Sequence, residues 1–79
     1  MRAQRDKTMT LSYNKLWKLL IDKGMKKKDL RAVTGISANT VARMGKNEVV
    51  SLEVLMKICG ALDCDIGDIM EVIRHKKQE

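Results

Sequence analysis

Apolar residues in this chain recur with the period of an α-helix, and no proline interrupts them. Tyr13, Leu16, Trp17 and Leu20 follow the i, i+3, i+4, i+7 rule of a single amphipathic face. Lys15, Lys18, Asp22 and Lys23 fall on the opposite side. With Ser12 as N-cap and Gly24 as stop, the first helix is expected over 12–23. Leu30 and Val33 anchor a second over about 27–34. Gly35 interrupts, Ile36 follows, and Ser37 is placed to cap a third helix that runs to about Met44, with Val41 and Met44 inward. Gly45 to Val50 reads as a loop. Ser51 caps a fourth helix whose Leu52, Leu55, Ile58, Cys59 and Leu62 share a face. After Asp63-Cys64-Asp65, the spacing of Ile66, Ile69, Met70 and Ile73 predicts a fifth, short helix. The pattern predicts an all-α fold of five helices over 11–74, between a mobile basic tail (1–10) and a frayed tail (75–79).

A chain of 79 residues is near the lower limit for one hydrophobic core and leaves no room for a large catalytic cleft. Its apolar share, 44%, is too high for a disordered segment. Sixteen Lys/Arg against ten Asp/Glu give a net charge of +6, and the excess is uneven. Residues 1–46 hold twelve Lys/Arg and three Asp/Glu, a charge of +9; residues 47–79 hold four and seven, a charge of −3. An anionic partner is expected, met by the first part of the chain.

Other chemistries find little support in the residues. Met1 is followed by polar residues, and apolar runs such as Leu19-Leu20-Ile21 are far short of the ~20 residues that span a bilayer. No membrane association is expected, and the cytoplasm is the expected compartment. Two cysteines, Cys59 and Cys64, are too few for a secreted domain this small. With His75 they lack the spacing of a zinc site. Asp63, Asp65 and Asp68 lack the twelve-residue calcium loop and fit caps of the last helix better. Neither metal nor cofactor is expected. No nucleophile–base pair appears, so no enzyme is expected, and no small-molecule effector is evident. Tyr13 and Trp17 share the spacing of Leu16 and Leu20, which makes them core rather than a base-stacking platform.

The segment Lys27 to Lys46 (KKDLRAVTGISANTVARMGK) has the logic of helix, tight turn, helix. A glycine suits the sharp turn at 35. Ile36 pins the turn to the core, Ser37 caps the next helix, and Val41 locks the crossing. Ala38, Asn39, Ala42, Arg43 and Lys46 are left on the outer face. Asn pairs bidentately with adenine and Arg with guanine, and small residues let a helix approach bases or touch a thymine methyl. Lys26, Lys27 and Lys28 open the second helix, where backbone N–H groups and ammonium groups both favour a phosphate.

These residues resemble the Cro/C1-type (xenobiotic-response-element) helix-turn-helix regulators. The likeness rests on Leu30, Gly35-Ile36-Ser37, Thr40-Val41 and Met44. It extends to Ser12–Trp17, Val50-Ser51-Leu52, Leu55, Ile58-Cys59, Leu62-Asp63-Cys64 and Gly67-Asp68-Ile69. It covers about residues 11–72, and points to a small single-domain subgroup similar to VanU-type regulators. The resemblance implies a five-helix lambda-repressor-like DNA-binding domain whose third helix, about 37–45, lies in the major groove of double-stranded DNA. Carried over position by position, Ala38, Asn39, Ala42 and Arg43 face bases. Ser37 and Thr40 hold positions that commonly reach phosphates or base edges, and Lys27 holds the position that opens the second helix and touches the backbone; Lys26, Lys28, Lys46 and Asn47 are further phosphate candidates. The chain departs from the family pattern at Arg31, where a small residue is usual. It departs again at Gly45, which directly follows Met44, with Glu48 three further on.

The expected function is sequence-specific transcriptional regulation by a homodimer, a repressor among the possibilities, with Ile66, Ile69, Met70 and Ile73 of the fifth helix as dimer candidates. The alternative from another class is a protein-interaction module, such as an antirepressor or an accessory regulator subunit.

Overall fold

The computed structural model describes residues 9–74. It contains strand β1 (Met9–Ser12), helices α1 (Asn14–Asp22), α2 (Lys27–Thr34), α3 (Ala38–Gly45) and α4 (Leu52–Leu62), a 3₁₀ turn (Ile66–Asp68) and strand β2 (Glu71–Arg74). The architecture is mostly helical, with four α-helices among the described residues instead of five.

Most helix ends have an identifiable local cause. At α1 the N-cap is Tyr13, with no side-chain cap, and not Ser12 as expected; Ser12 lies one residue earlier, and its hydroxyl accepts from the Asn14 N–H at 3.1 Å. At α2, the Asp29 carboxylate accepts from the Lys26 N–H at 2.8 Å, and the helix ends on Gly35 at φ 78°, the left-handed region that costs glycine nothing. Ser37 and Ser51 cap α3 and α4 as expected: their hydroxyls accept from the N–H groups of Thr40 (3.1 Å) and Val54 (3.2 Å). The α4 terminus turns on Asp63 at φ 55°, and the Cys64 N–H reaches back to the Cys59 carbonyl at 3.0 Å, a six-residue closure that satisfies a terminal carbonyl.

The core takes Tyr13, Leu16 and Leu20 from the first helix region, Leu30 from α2, Ile36 from the turn, and Val41 and Met44 from α3. Leu55, Ile58 and Leu62 from α4 and Ile69 after the 3₁₀ turn complete it. Helix α2 packs on both α3 and α4. Two expected anchors are not in the core. Val33 is 57% exposed and Leu52 is 60% exposed, because the faces of α2 and α4 that meet their neighbours are set by Leu30 and by Leu55–Ile58–Leu62.

The predicted fifth helix is not formed. Ile66 begins the 3₁₀ turn, whose N-terminal end is capped reciprocally by Asp65 and Asp68 side chains: Asp65 Oδ1 accepts from the Ile66 N–H (3.1 Å) and Asp68 Oδ2 from the Asp65 N–H (3.0 Å). Residues 71–74 then pair antiparallel with β1, in the register Met9↔Arg74, Thr10↔Ile73, Leu11↔Val72 and Ser12↔Glu71. Val72 and Ile73 are β-branched and favour a strand once a partner is present. Met9 and Thr10, expected in the mobile tail, are part of that partner. The remainder of that tail, and residues 75–79, for which a frayed end is expected, lie outside the described residues. Of the four dimer candidates, Ile69 is fully buried in the chain's own core, Ile66 and Met70 are half-buried against it, and Ile73 is exposed. Ile69 therefore has no surface to offer a second copy.

Candidate nucleic-acid interface

The turn between α2 and α3 is built from its own residues. The Gly35 N–H donates to the Arg31 carbonyl at 2.8 Å. The Thr34 hydroxyl donates to the Leu30 carbonyl at 2.7 Å and accepts from the Ile36 N–H at 3.3 Å. Ile36 is buried, so the turn is fixed to the core. With Val41 and Met44 also inward, the outer side of α3 is determined: Ala38, Asn39, Ala42 and Arg43 are all exposed on it.

The cationic residues around this face hold different positions. Lys28, Arg31, Ala32, Gly35, Ile36 and Ala38 line a shallow groove of ≈ 370 Å³ alongside the start of α3. Arg31, one of the two departures from the family pattern, is exposed and lines this groove with Lys28. Its exposure makes it a cationic candidate that motif matching alone passes over. The Lys27 ammonium sits 4.5 Å from the centroid of the Trp17 ring, a cation–π contact that holds it between α1 and α2. Trp17 itself is half-buried against the core. Lys26 is exposed, but the Asp29 carboxylate already occupies its backbone N–H. The anion expected at the start of α2 thus has an internal competitor, and Asp29 is the residue that sequence reasoning overlooked.

On α3 itself, the Ser37 and Thr40 hydroxyls lie 3.0 Å apart and bond to each other. Lys46 is exposed just past the helix. Asn47 takes φ 59°, which Asn tolerates better than most residues. Its Oδ1 accepts from the Tyr13 N–H at 3.3 Å, which leaves only its NH₂ end for a phosphate.

Arg43 is the most constrained of the group. Its Nε donates to Glu48 Oε1 at 3.2 Å and its Nη2 to the Val49 carbonyl at 2.8 Å. The Glu48 N–H returns a bond to the Arg43 carbonyl at 3.0 Å. Sequence reasoning placed Arg43 on the outer face without finding these loop partners, since nothing in the spacing tells which way a loop carboxylate points.

No group of three or more His, Cys, Asp or Glu side chains among the described residues is arranged to hold a metal ion. No helix of the described residues is long and apolar enough to cross a membrane.

The geometry agrees with two comparisons. The family model for the Cro/C1-type HTH DNA-binding domain matches residues 15–75. A crystal structure of the transcriptional regulator VanUg (form II) is similar at a TM-score of 0.81 and 58% identity, over 85% of this chain and 89% of that chain. No curated protein matches the chain.

Proposed function

Because the chain belongs to the Cro/C1-type helix-turn-helix DNA-binding family, we propose that it is a sequence-specific transcriptional regulator that reads the major groove with α3. The observation that carries this reading is the outer side of α3, where Ala38, Asn39, Ala42 and Arg43 are exposed together while Val41 and Met44 hold the helix to the core. Two small residues let the helix approach base edges, and Asn39 and Arg43 carry the donors and acceptors that tell bases apart. Lys28 and Arg31 in the adjacent groove, with Lys26, Lys27, Lys46, Ser37, Thr40 and the Asn47 amide, supply the contacts that set register on the phosphates.

The protein acts as a two-fold homodimer, each α3 in one major groove and the half-sites about one helical turn, ~34 Å, apart. Of the four dimer candidates, Ile73 is the one at the surface. The cytoplasm is its compartment, where Cys59 and Cys64 stay reduced.

Selection of bound duplexes from a random DNA pool tests the proposal. Enrichment of a two-fold symmetric site, with binding that weakens by about 0.9 log unit per phosphate contact for each log unit of salt, is the expected result. If no sequence is enriched, α3 docks on something other than DNA, and the protein-interaction alternative takes its place.

A further inference from the structure

The α3–α4 loop engages the Arg43 guanidinium on one side only. A guanidinium has two forked edges: a side edge formed by Nε and one Nη nitrogen, and an end edge formed by the two Nη nitrogens. Both contacts that Arg43 makes through its guanidinium, to Glu48 Oε1 and to the Val49 carbonyl, use the side edge. Nη1 has no hydrogen-bond partner among the described residues, and the Arg43 side chain keeps 49% of its surface open. The end edge is therefore free, and it is the fork that matches the O6 and N7 acceptors of guanine.

We propose that Glu48 is a positioning residue for base recognition: with the Val49 carbonyl it holds the side edge of Arg43 so that the end edge is presented to guanine. This rests on the DNA-binding reading above and adds to it the identity of a specificity-determining residue outside the recognition helix. The buttress is itself anchored. The backbone of Glu48 is fixed at both ends, its N–H on the Arg43 carbonyl and its carbonyl on the buried Tyr13 hydroxyl at 2.9 Å. Arg side chains carry large rotamer entropy, and a fork held in place before binding loses less of it on contact with a base. The buttress also accounts for a carboxylate next to a phosphate-facing surface. On charge alone Glu48 opposes DNA; as a hydrogen-bond acceptor on the reading arginine it sharpens the choice of base.

The test compares wild type, Glu48→Ala, Glu48→Gln, Arg43→Ala and the double variant, each by selection from a random duplex pool and by titration against the selected site and its single-base variants. Glu48→Ala is expected to lose preference for guanine at one position per half-site by about tenfold, within the range of a bidentate base contact. Preferences elsewhere and the salt slope are expected to stay unchanged. Glu48→Gln, which keeps an acceptor oxygen, is expected to retain part of that preference. In the Arg43→Ala background, removing Glu48 is expected to change nothing further at that position, the signature of action through Arg43. Guanine preference that survives Glu48→Ala overturns the proposal. So does preference that strengthens, which would make Glu48 a sequestering group, and so does an equal loss of affinity for every sequence, which would mark a structural role. Failure of wild type to enrich any sequence defeats the DNA-binding reading first, and is told apart because no variant comparison is then reached.

Discussion

The Tyr13 hydroxyl donates to the Glu48 carbonyl at 2.9 Å across a sequence separation of 35 residues. Tyr13 is 1% exposed, so a polar tip is led through the core to the α3–α4 loop. The Tyr13 backbone N–H adds a second tie, donating to Asn47 Oδ1 at 3.3 Å. The start of α1 and the loop that follows α3 are thereby one unit, and the conformation of the loop is inherited by Arg43.

Tyr13→Phe keeps the ring and removes the tie. It is expected to cost about 1 kcal/mol, the net worth of one hydrogen bond. In a domain of this size that is a drop of about 4–8 °C in Tm. pH separates this loss from a packing defect. Burial pushes the Tyr13 phenol above its ordinary value of 10.0 and outweighs the Val50 backbone and the Arg43 charge, which pull the other way. A phenol raised on folding supports the native state fully below its unfolded value, and that support disappears as pH rises through the folded one. Wild type is therefore expected to lose stability more steeply than Tyr13→Phe above pH 10. Parallel Tm–pH curves for the two proteins would show that the phenol is not the source.

Two glycines are expected to respond oppositely to alanine. At Gly35 a Cβ would meet nothing within 4 Å, but the backbone is at φ +78°. The cost of Gly35→Ala is then conformational alone, about 1–2 kcal/mol, and Gly35→Asn is expected to cost less. Gly60 lies within α4 and a Cβ there also meets nothing within 4 Å. Gly60→Ala is expected to stabilise by roughly 0.5–1 kcal/mol. Chemical denaturation of the pair checks both signs.

The interior of the helix-turn-helix was legible because each of its signals is local. Ser37, Gly35 and the Val41/Met44 spacing fix α3 within a residue or two, and local rules suffice for caps and faces. The C-terminal element was illegible for the converse reason. Ile66, Ile69, Met70 and Ile73 satisfy helical spacing, yet β2 exists only because β1, about sixty residues earlier, supplies a pairing edge. Periodicity carries no information about such a partner. The site divides in the same way. Exposure of Ala38, Asn39 and Ala42 follows from the helix face, whereas the bonds of Arg43 to Glu48 and of Asn47 to Tyr13 depend on a loop path set by tertiary contacts.

The cysteines supply a prediction independent of DNA. Burial, then the neighbouring Cys59 thiol and the Asp68 charge, push the Cys64 thiol from 9.0 up to about 11. Cys59 is also raised, by burial first. Alkylation proceeds through the thiolate. At pH 8 the thiolate fraction at Cys64 falls from about one tenth to about one thousandth. Iodoacetamide labelling of Cys64 in the folded protein is expected to be roughly a hundredfold slower than in denaturant, before any protection by burial is counted. Equal rates in the two conditions would place the thiol in an open, solvated setting.

Arg31 offers the sharpest separation between positioning and reading. It lies with Lys28 in the groove beside Ala38, away from the loop that engages Arg43. On the proposed DNA-binding reading, a cation at that place meets a phosphate and not a base edge. Arg31→Ala is therefore expected to weaken binding to all sequences by a similar factor and to lower the salt slope by about 0.9, one released counterion's worth. The selected site should stay the same. Arg43→Ala is expected to do the reverse: the selected site relaxes at one position, at a cost of about 1–3 kcal/mol for that base, and the salt slope moves little. Titrations of both variants at two or more salt concentrations against the selected duplex and one mismatched duplex distinguish them. A base-specific loss for Arg31→Ala would move Arg31 from the phosphate set to the reading set, and would give the departure at this position a part in sequence choice.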